Sequence, residues 1–155
     1  MVGKRTFKQL SLIHIIICIS TAILVGILYT LKNQDTLNQN SEDFLILEMI
    51  VPLLAVVTFA AAYFFGKMQY KKLDKSADLD TKFNAFRISN IVLWASLEGS
   101  AILGAVGFYL SGRMNLLLYS LMLGVLLIYF RPLKSRAVEF LQLSSEEADQ
   151  LDDTI

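Results

Sequence analysis

Four long apolar stretches constrain the fold of this 155-residue chain more than any other feature. They cover about 10–31, 44–66, 88–110 and 114–130, and the last is near the lower length limit for crossing a bilayer. A helix needs about 20 apolar residues to span ~30 Å of hydrocarbon. A lone strand would leave its backbone groups unpaired in lipid, so each stretch is expected to be helical. The sequence therefore predicts an all-α membrane protein, folded as a bundle of four transmembrane helices.

Composition agrees with this prediction and excludes several classes of function. Hydrophobic residues make up 55% of the chain, charged residues 18%, and the mean hydropathy is +0.54, which is more apolar side chain than a soluble domain of this size can bury. Fourteen basic residues balance fourteen acidic ones, so no positive excess indicates nucleic acid as a partner. One cysteine and one histidine exclude an internal disulfide and a Cys-rich or His-cluster metal site. We expect no cofactor, no metal and no enzymatic activity.

The distribution of lysine and arginine predicts the orientation in the membrane. Only Lys32 and Arg113 fall in the connections that follow the first and third stretches. The other twelve of the fourteen basic residues lie before the first stretch, between the second and third, or after the fourth: Lys4, Arg5, Lys8, Lys67, Lys71, Lys72, Lys75, Lys82, Arg87, Arg131, Lys134 and Arg136. Because basic connections stay on the cytoplasmic side, both termini are predicted to be cytoplasmic, in a cell inner (plasma) membrane.

The connections predict how the chain is organised. The first stretch is interpreted as a retained span, since it is longer than the core of a signal peptide and 30–33 is no small-residue cleavage site. The short turn at 111–113 makes the last two spans antiparallel neighbours. We expect a four-span membrane domain over 1–136 and a cytoplasmic tail over 137–155. In the tail, Ser144 and Glu147 fit a capping box that would begin a short acidic helix.

Glu98 is the candidate functional residue with the most unusual position, because it lies almost at the midpoint of the third stretch. A charged carboxylate at that depth costs about 2.5–3.5 kcal/mol on insertion scales. One interpretation is a carboxyl group that handles a proton or a cation. The alternative is a neutral carboxyl group that forms a hydrogen bond to a neighbouring helix and specifies packing.

Two further ionisable residues fall inside predicted spans. Glu48 lies about one turn inside the external surface, four residues before Pro52, which frees a backbone carbonyl and can kink the helix. It is either the mouth of an ion path or a carboxylate that reaches the interface. His14 lies on the polar face of the first span and is either part of a proton relay with Glu98 or an interhelical hydrogen-bond donor.

Small residues on the third span predict close helix packing. At 100° per residue, four of them form one seam, and the face roughly opposite carries Trp94 and Glu98. Two usable faces indicate more than one neighbouring helix, and the extra neighbour could come from a second copy of the chain or from another membrane protein. The seam consists of Ser96, Ser100, Gly104 and Gly107.

Two resemblances accompany these patterns. The four-span topology and the ending RPLKSR (131–136) and LQLSSEE (141–147) resemble small four-span bacterial inner-membrane proteins grouped in families of unknown function. The hairpin over 51–110, with ASLEGSAI at 95–102, is similar to rotary ATPase proteolipid (c-type) subunits. That second resemblance implies that Glu98 is the carboxyl group that carries the proton.

Taken together, the sequence predicts an integral membrane protein that serves as a structural or accessory subunit and packs through its third span. Its partners would be the lipid bilayer and either a second copy or another membrane protein. The alternative is a small proton- or cation-translocating component that uses Glu98, with His14 and Glu48 as secondary groups.

Overall fold

The computed structural model describes residues 2–34, 45–72 and 77–143, with side chains from Phe7 onwards in the first range. Within these ranges the regular secondary structure is helical. The helices are α1 (Val2–Gln34), α2 (Leu45–Lys72), α3 (Leu79–Ser111), α4 (Met114–Tyr129) and α5 (Lys134–Leu141). The all-α prediction is therefore confirmed. Three helices are long and apolar enough to cross a membrane, and there are up to four if α4 and α5 count as one broken span.

The first three helices extend beyond the predicted apolar stretches. α2 continues to Lys72 and α3 begins at Leu79, so the basic segment between the predicted spans mostly prolongs its flanking helices. Pro52 lies in the second turn of α2 without ending the helix. Its missing N–H leaves the Glu48 carbonyl, four residues earlier, without its usual helical donor.

The predicted tight turn between the third and fourth stretches is confirmed. Gly112 adopts the left-handed conformation with φ of +70° and donates its N–H to the Phe108 carbonyl at 2.7 Å. This conformation favours glycine and ends α3. The Ser111 hydroxyl then accepts the N–H of Arg113 at 3.2 Å. As a result α4 turns back and packs antiparallel to α3.

α3 is the helix around which the bundle is organised, because α1, α2 and α4 all pack on it whereas α1 and α2 hardly touch each other. α1 runs parallel to α3: Phe7 meets Phe83 at one end and Tyr29 stacks on Phe108 at the other. α2 and α4 run antiparallel to it. The core is split along α3 into a larger cluster around Trp94 and a smaller one around Phe108.

The fourth predicted span is shorter than a full crossing and ends in a bend. α4 has 16 residues, which gives a length of about 24 Å at 1.5 Å per residue. α5 follows at an angle of 74° to α4. It buries Ala137 and Leu141 against the larger core cluster. The boundary predicted at 136 therefore falls inside α5, and the acidic helix predicted from Ser144 lies outside the described residues.

Candidate functional site

Glu98 faces α1, where two hydroxyl groups meet its carboxyl group. Ser20 Oγ donates to Glu98 Oε1 at 3.2 Å, and Thr21 Oγ1 lies 3.4 Å from the same oxygen. Both hydroxyls also donate to the carbonyl of Ile17, at 2.9 and 2.7 Å. A hydroxyl has only one proton, so each shares it between its own helix and Glu98. The carboxyl group thus links the middle of α3 to the middle of α1.

The carboxyl group is partly exposed at the edge of an open face of α3. Ser20 beside it is exposed, whereas Thr21 is buried. The open face lies between α1 and α2 and includes Ala95, Gly99, Leu103 and Val106, which are all exposed. A Cβ atom added at Gly99 would have no heavy atom within 4 Å. No helix of the described chain covers this strip.

His14 contacts the C-terminal end of α4. Its Nε2 lies 3.0 Å from the carbonyl oxygen of Leu127, and the side chain is almost fully buried. A carbonyl can only accept, so Nε2 carries the proton in this contact. The ring of Trp94 packs against that of His14 at a tilt of 59°, with centroids 4.7 Å apart, and donates Nε1–H to the Phe130 carbonyl at 2.8 Å.

The sequence at the end of α4 explains why these carbonyls need partners. Pro132 has no N–H, and it disfavours helical backbone at the residue before it. The N–H of Arg131, which would reach the Leu127 carbonyl in a continued α-helix, instead donates to Ile128 at 3.3 Å. The Leu127 carbonyl is left without its helical donor. Side chains from α1 and α3 supply the missing N–H groups and close the broken end of α4.

The proposed relay from Glu98 to His14 has no direct link in the described ranges. The Leu127 carbonyl holds the protonated ring nitrogen of His14, and Glu98 contacts hydroxyls on the next turns of α1. Cys18 lies between them, with Sγ 3.7 Å from His14 Nε2. A thiol is a weak donor and a weak acceptor, so it is a poor carrier of protons between these groups.

Glu48 forms an ion pair that the sequence analysis did not identify. Arg113 Nη1 lies 3.1 Å from Glu48 Oε2, and the two side chains are 20% and 21% exposed. Asn115 Nδ2 donates to the other carboxylate oxygen at 3.3 Å. The only signal in the sequence was that Arg113 is one of two basic residues predicted at this end. The pair ties the start of α2 to the turn between α3 and α4, so Glu48 is engaged in a structural contact.

The small-residue seam of α3 packs inside the chain. The Ser100 hydroxyl lies 3.2 Å from that of Thr58 on α2. A Cβ atom at Gly104 would come within 3.1 Å of the Leu116 carbonyl oxygen on α4, and a Cβ atom at Gly107 would also contact Leu116. Ser96 donates to its own helix at Val92. The faces with the seam and with Trp94 are both covered by helices of the same chain.

A hydroxyl from α4 completes the contact with α3. Ser120 Oγ, which is 1% exposed, donates to the Ala101 carbonyl at 2.6 Å.

No group of three or more His, Cys, Asp or Glu side chains that could hold a metal ion occurs in the described residues. No protein-family model, no curated protein and no solved structure matches the chain.

Proposed function

We propose that this integral membrane protein is a structural or accessory subunit that pairs with a second copy of itself through the open face of α3. The observation that carries the proposal is the exposed strip between α1 and α2, with Ala95 and Gly99 one helical turn apart and Glu98 beside them. Small residues four positions apart allow two membrane helices to approach closely, which favours association in lipid. In the described chain, this strip of α3 has no helix packed on it.

The partly exposed carboxyl group supports pairing at the same place. A polar group at mid-membrane depth is costly when it faces lipid, and a second helix on the strip would remove that exposure. Copies inserted by the same rules have the same orientation, so two α3 helices related by a twofold axis along the membrane normal would run parallel. Each Gly99 would then lie close to its counterpart.

The same proposal includes four membrane crossings with both ends on the cytoplasmic side of a plasma membrane. The distribution of basic residues supports it, as does the position of the starts of α1 and α3 at the same end of the bundle as the end of α4. α4 would be the short fourth crossing, and α5 would lie in the interface. Reporter fusions at each terminus test this orientation, and an external signal from either terminus contradicts it.

Cysteine cross-linking tests the pairing. Cys18 is the single native cysteine, so Cys18→Ser provides a background for Gly99→Cys and for Val125→Cys, an exposed position on α4. We expect oxidation in membranes to yield a covalent dimer from Gly99→Cys alone. Equal cross-linking at both positions, or at neither, contradicts the proposal.

A steric variant provides a second, independent readout. Gly99→Leu should dissociate the dimer, and Gly124→Leu is its matched control because neither glycine has a neighbour within 4 Å of an added Cβ. Both variants are expected to fold. The pairing is wrong if the Gly99 variant keeps the oligomeric state of the wild type. It is also wrong if a different protein, and not a second copy, binds the strip.

Proton or cation handling by Glu98 is the second candidate, favoured by the two hydroxyl groups that meet a partly exposed carboxyl group at mid-helix. His14 and Glu48 are committed to other contacts, so this candidate rests on Glu98 alone. Glu98→Gln tests it in proteoliposomes that enclose a pH-sensitive dye. Loss of a wild-type flux with dimerisation intact supports handling of ions, and the absence of any wild-type flux rejects it.

A further inference from the structure

A second site lies at the basic end of the bundle, where α2, α3 and the bend between α4 and α5 enclose a cavity of about 260 Å³. It is separate from Glu98 and from the open face of α3, so it does not depend on the pairing. Most of its lining is aromatic or aliphatic. The polar part of the lining consists of Lys67, Ser89, Asn90, Arg136 and the tyrosines Tyr63, Tyr70 and Tyr129.

The charged groups of this cavity are both positive. Lys67 lies over the ring of Tyr63 at 5.4 Å, and the Arg136 guanidinium lies over the rings of Tyr129 and Phe130 at 5.0 and 5.4 Å. Among the described residues, no acidic side chain lines the cavity. In the described chain, the two cations pair with aromatic rings, which attract a cation without neutralising its charge.

Hydrogen-bonding groups lie beside these cations. Ser89 is buried, and its hydroxyl donates to the Ala85 carbonyl at 2.8 Å and also forms a side-chain hydrogen bond with Tyr70, so it holds the lining of the cavity in place. One amide hydrogen of Asn90 goes to the Phe86 carbonyl, and the amide has a second. Gly66 also lines the cavity, and an added Cβ there would make an ordinary contact, 3.5 Å from Ser89 Cβ.

The depth of the cavity indicates the kind of anion it would meet. Exposed aromatic side chains line it, namely Tyr63, Tyr129 and Phe140, and such rings concentrate at the level of lipid headgroups. Basic pockets between membrane helices bind the headgroups of anionic lipids, and arginine matches phosphate oxygens in a two-pronged geometry. From the two cations, which pair with aromatic rings in the described chain, the free amide hydrogen of Asn90 and the aromatic rim, we propose that this cavity binds the phosphate group of an anionic phospholipid.

The test measures lipid binding by the full chain in nanodiscs. Phosphatidylglycerol is titrated into phosphatidylcholine, and the fluorescence of Trp94, the single tryptophan, reports binding because its indole contacts Phe130 at the cavity. Each cation is expected to raise the affinity about fivefold, so Lys67→Gln combined with Arg136→Gln should weaken binding about 30-fold. Binding that the pair of substitutions leaves unchanged overturns the proposal.

Two controls separate this site from general attraction of anionic lipid. Lys71→Gln combined with Arg87→Gln removes two exposed cations that do not line the cavity, and it should keep the affinity within a few-fold of the wild type. An equal loss in both double variants indicates a diffuse charge effect and contradicts a site. Fluorescence of each variant in phosphatidylcholine alone checks that the fold is retained.

Two further arms distinguish the source of the phosphate and the role of shape. Inorganic phosphate or glycerol phosphate added to phosphatidylcholine nanodiscs should not reproduce the signal at comparable concentration, and if either does, the site binds soluble phosphate and not lipid. Gly66→Leu, which fills the cavity without removing charge, should abolish the signal, whereas Gly66→Ala should reduce it only slightly. Wild-type affinity in the leucine variant contradicts the assignment of the cavity.

Discussion

The contact between His14 and the broken end of α4 permits a quantitative prediction. His14→Phe removes the Nε2–H that meets the Leu127 carbonyl at 3.0 Å but keeps a ring that packs against Trp94. A buried carbonyl that loses its donor costs about 1–3 kcal/mol, and hydrogen bonds between membrane helices average about 0.6 kcal/mol with a maximum near 1.7. We therefore expect a loss of about 1–2 kcal/mol in the free energy of unfolding, since within the described ranges His14 is the donor to this oxygen.

The cause of the loss can be tested with Pro132. Pro132→Ala removes the restriction on Arg131 and allows α4 to continue, so that the N–H of Arg131 can reach the Leu127 carbonyl. In that background the donor of His14 becomes redundant, and His14→Phe should cost about 1 kcal/mol less than in the wild type. The difference is a coupling free energy of the kind that double-mutant cycles measure.

Reversible unfolding in bicelles, by denaturing detergent or by steric trapping, gives the four free energies of this cycle. Thr30→Ala is a suitable control, because it removes an exposed hydroxyl that donates only within α1, to Ile27. It should change the free energy of unfolding by less than about 0.5 kcal/mol. An equal cost of His14→Phe in both backgrounds refutes the explanation that the histidine replaces a helical donor lost to proline.

Two further predictions concern packing and the ion pair. Gly104→Val should destabilise the bundle by about 1–3 kcal/mol in the same unfolding assay, because the new Cβ would come within 3.1 Å of the Leu116 carbonyl oxygen. The control is Gly26→Ala, where the added Cβ meets nothing. An equally small cost for both variants contradicts the prediction. The double-mutant cycle of Glu48→Gln and Arg113→Gln should give a coupling below about 1 kcal/mol, because partly exposed pairs are screened; a coupling that does not fall with added salt contradicts it.

The position of Glu98 could be predicted from the sequence, but its contacts could not. Its depth in the third apolar stretch follows from counting residues, and so does its place on the face of α3 that carries Trp94. Its partners do not, since Ser20 and Thr21 lie 78 and 77 positions earlier in the chain. The Ser20 hydroxyl also donates to its own helix at Ile17, and the sharing of that hydroxyl with Glu98 depends on how α1 lies against α3.

The pairing of Glu48 with Arg113 and the capping of α4 by His14 and Trp94 were not predicted for the same reason. Each contact joins residues from different helices, and hydrophobic periodicity gives the face of a helix but not its neighbour. The proline that breaks α4 was visible in the sequence. Which donors would satisfy the carbonyls it frees depended on the tertiary arrangement.

The sequence by itself determined that the chain is helical and suited to a membrane, because long apolar stretches leave the backbone no other way to satisfy its hydrogen bonds in lipid. It also determined the turn at Gly112 and the end of α4 near Pro132, which follow from the backbone preferences of single residues. Only the tertiary structure decided that α3 is surrounded on three sides, that its predicted seam packs inside the chain, and that the strip at Ala95 and Gly99 stays open. The physical reason is that these features depend on the order in which helices pack around α3, and lipid, unlike water, does not force every apolar face inward.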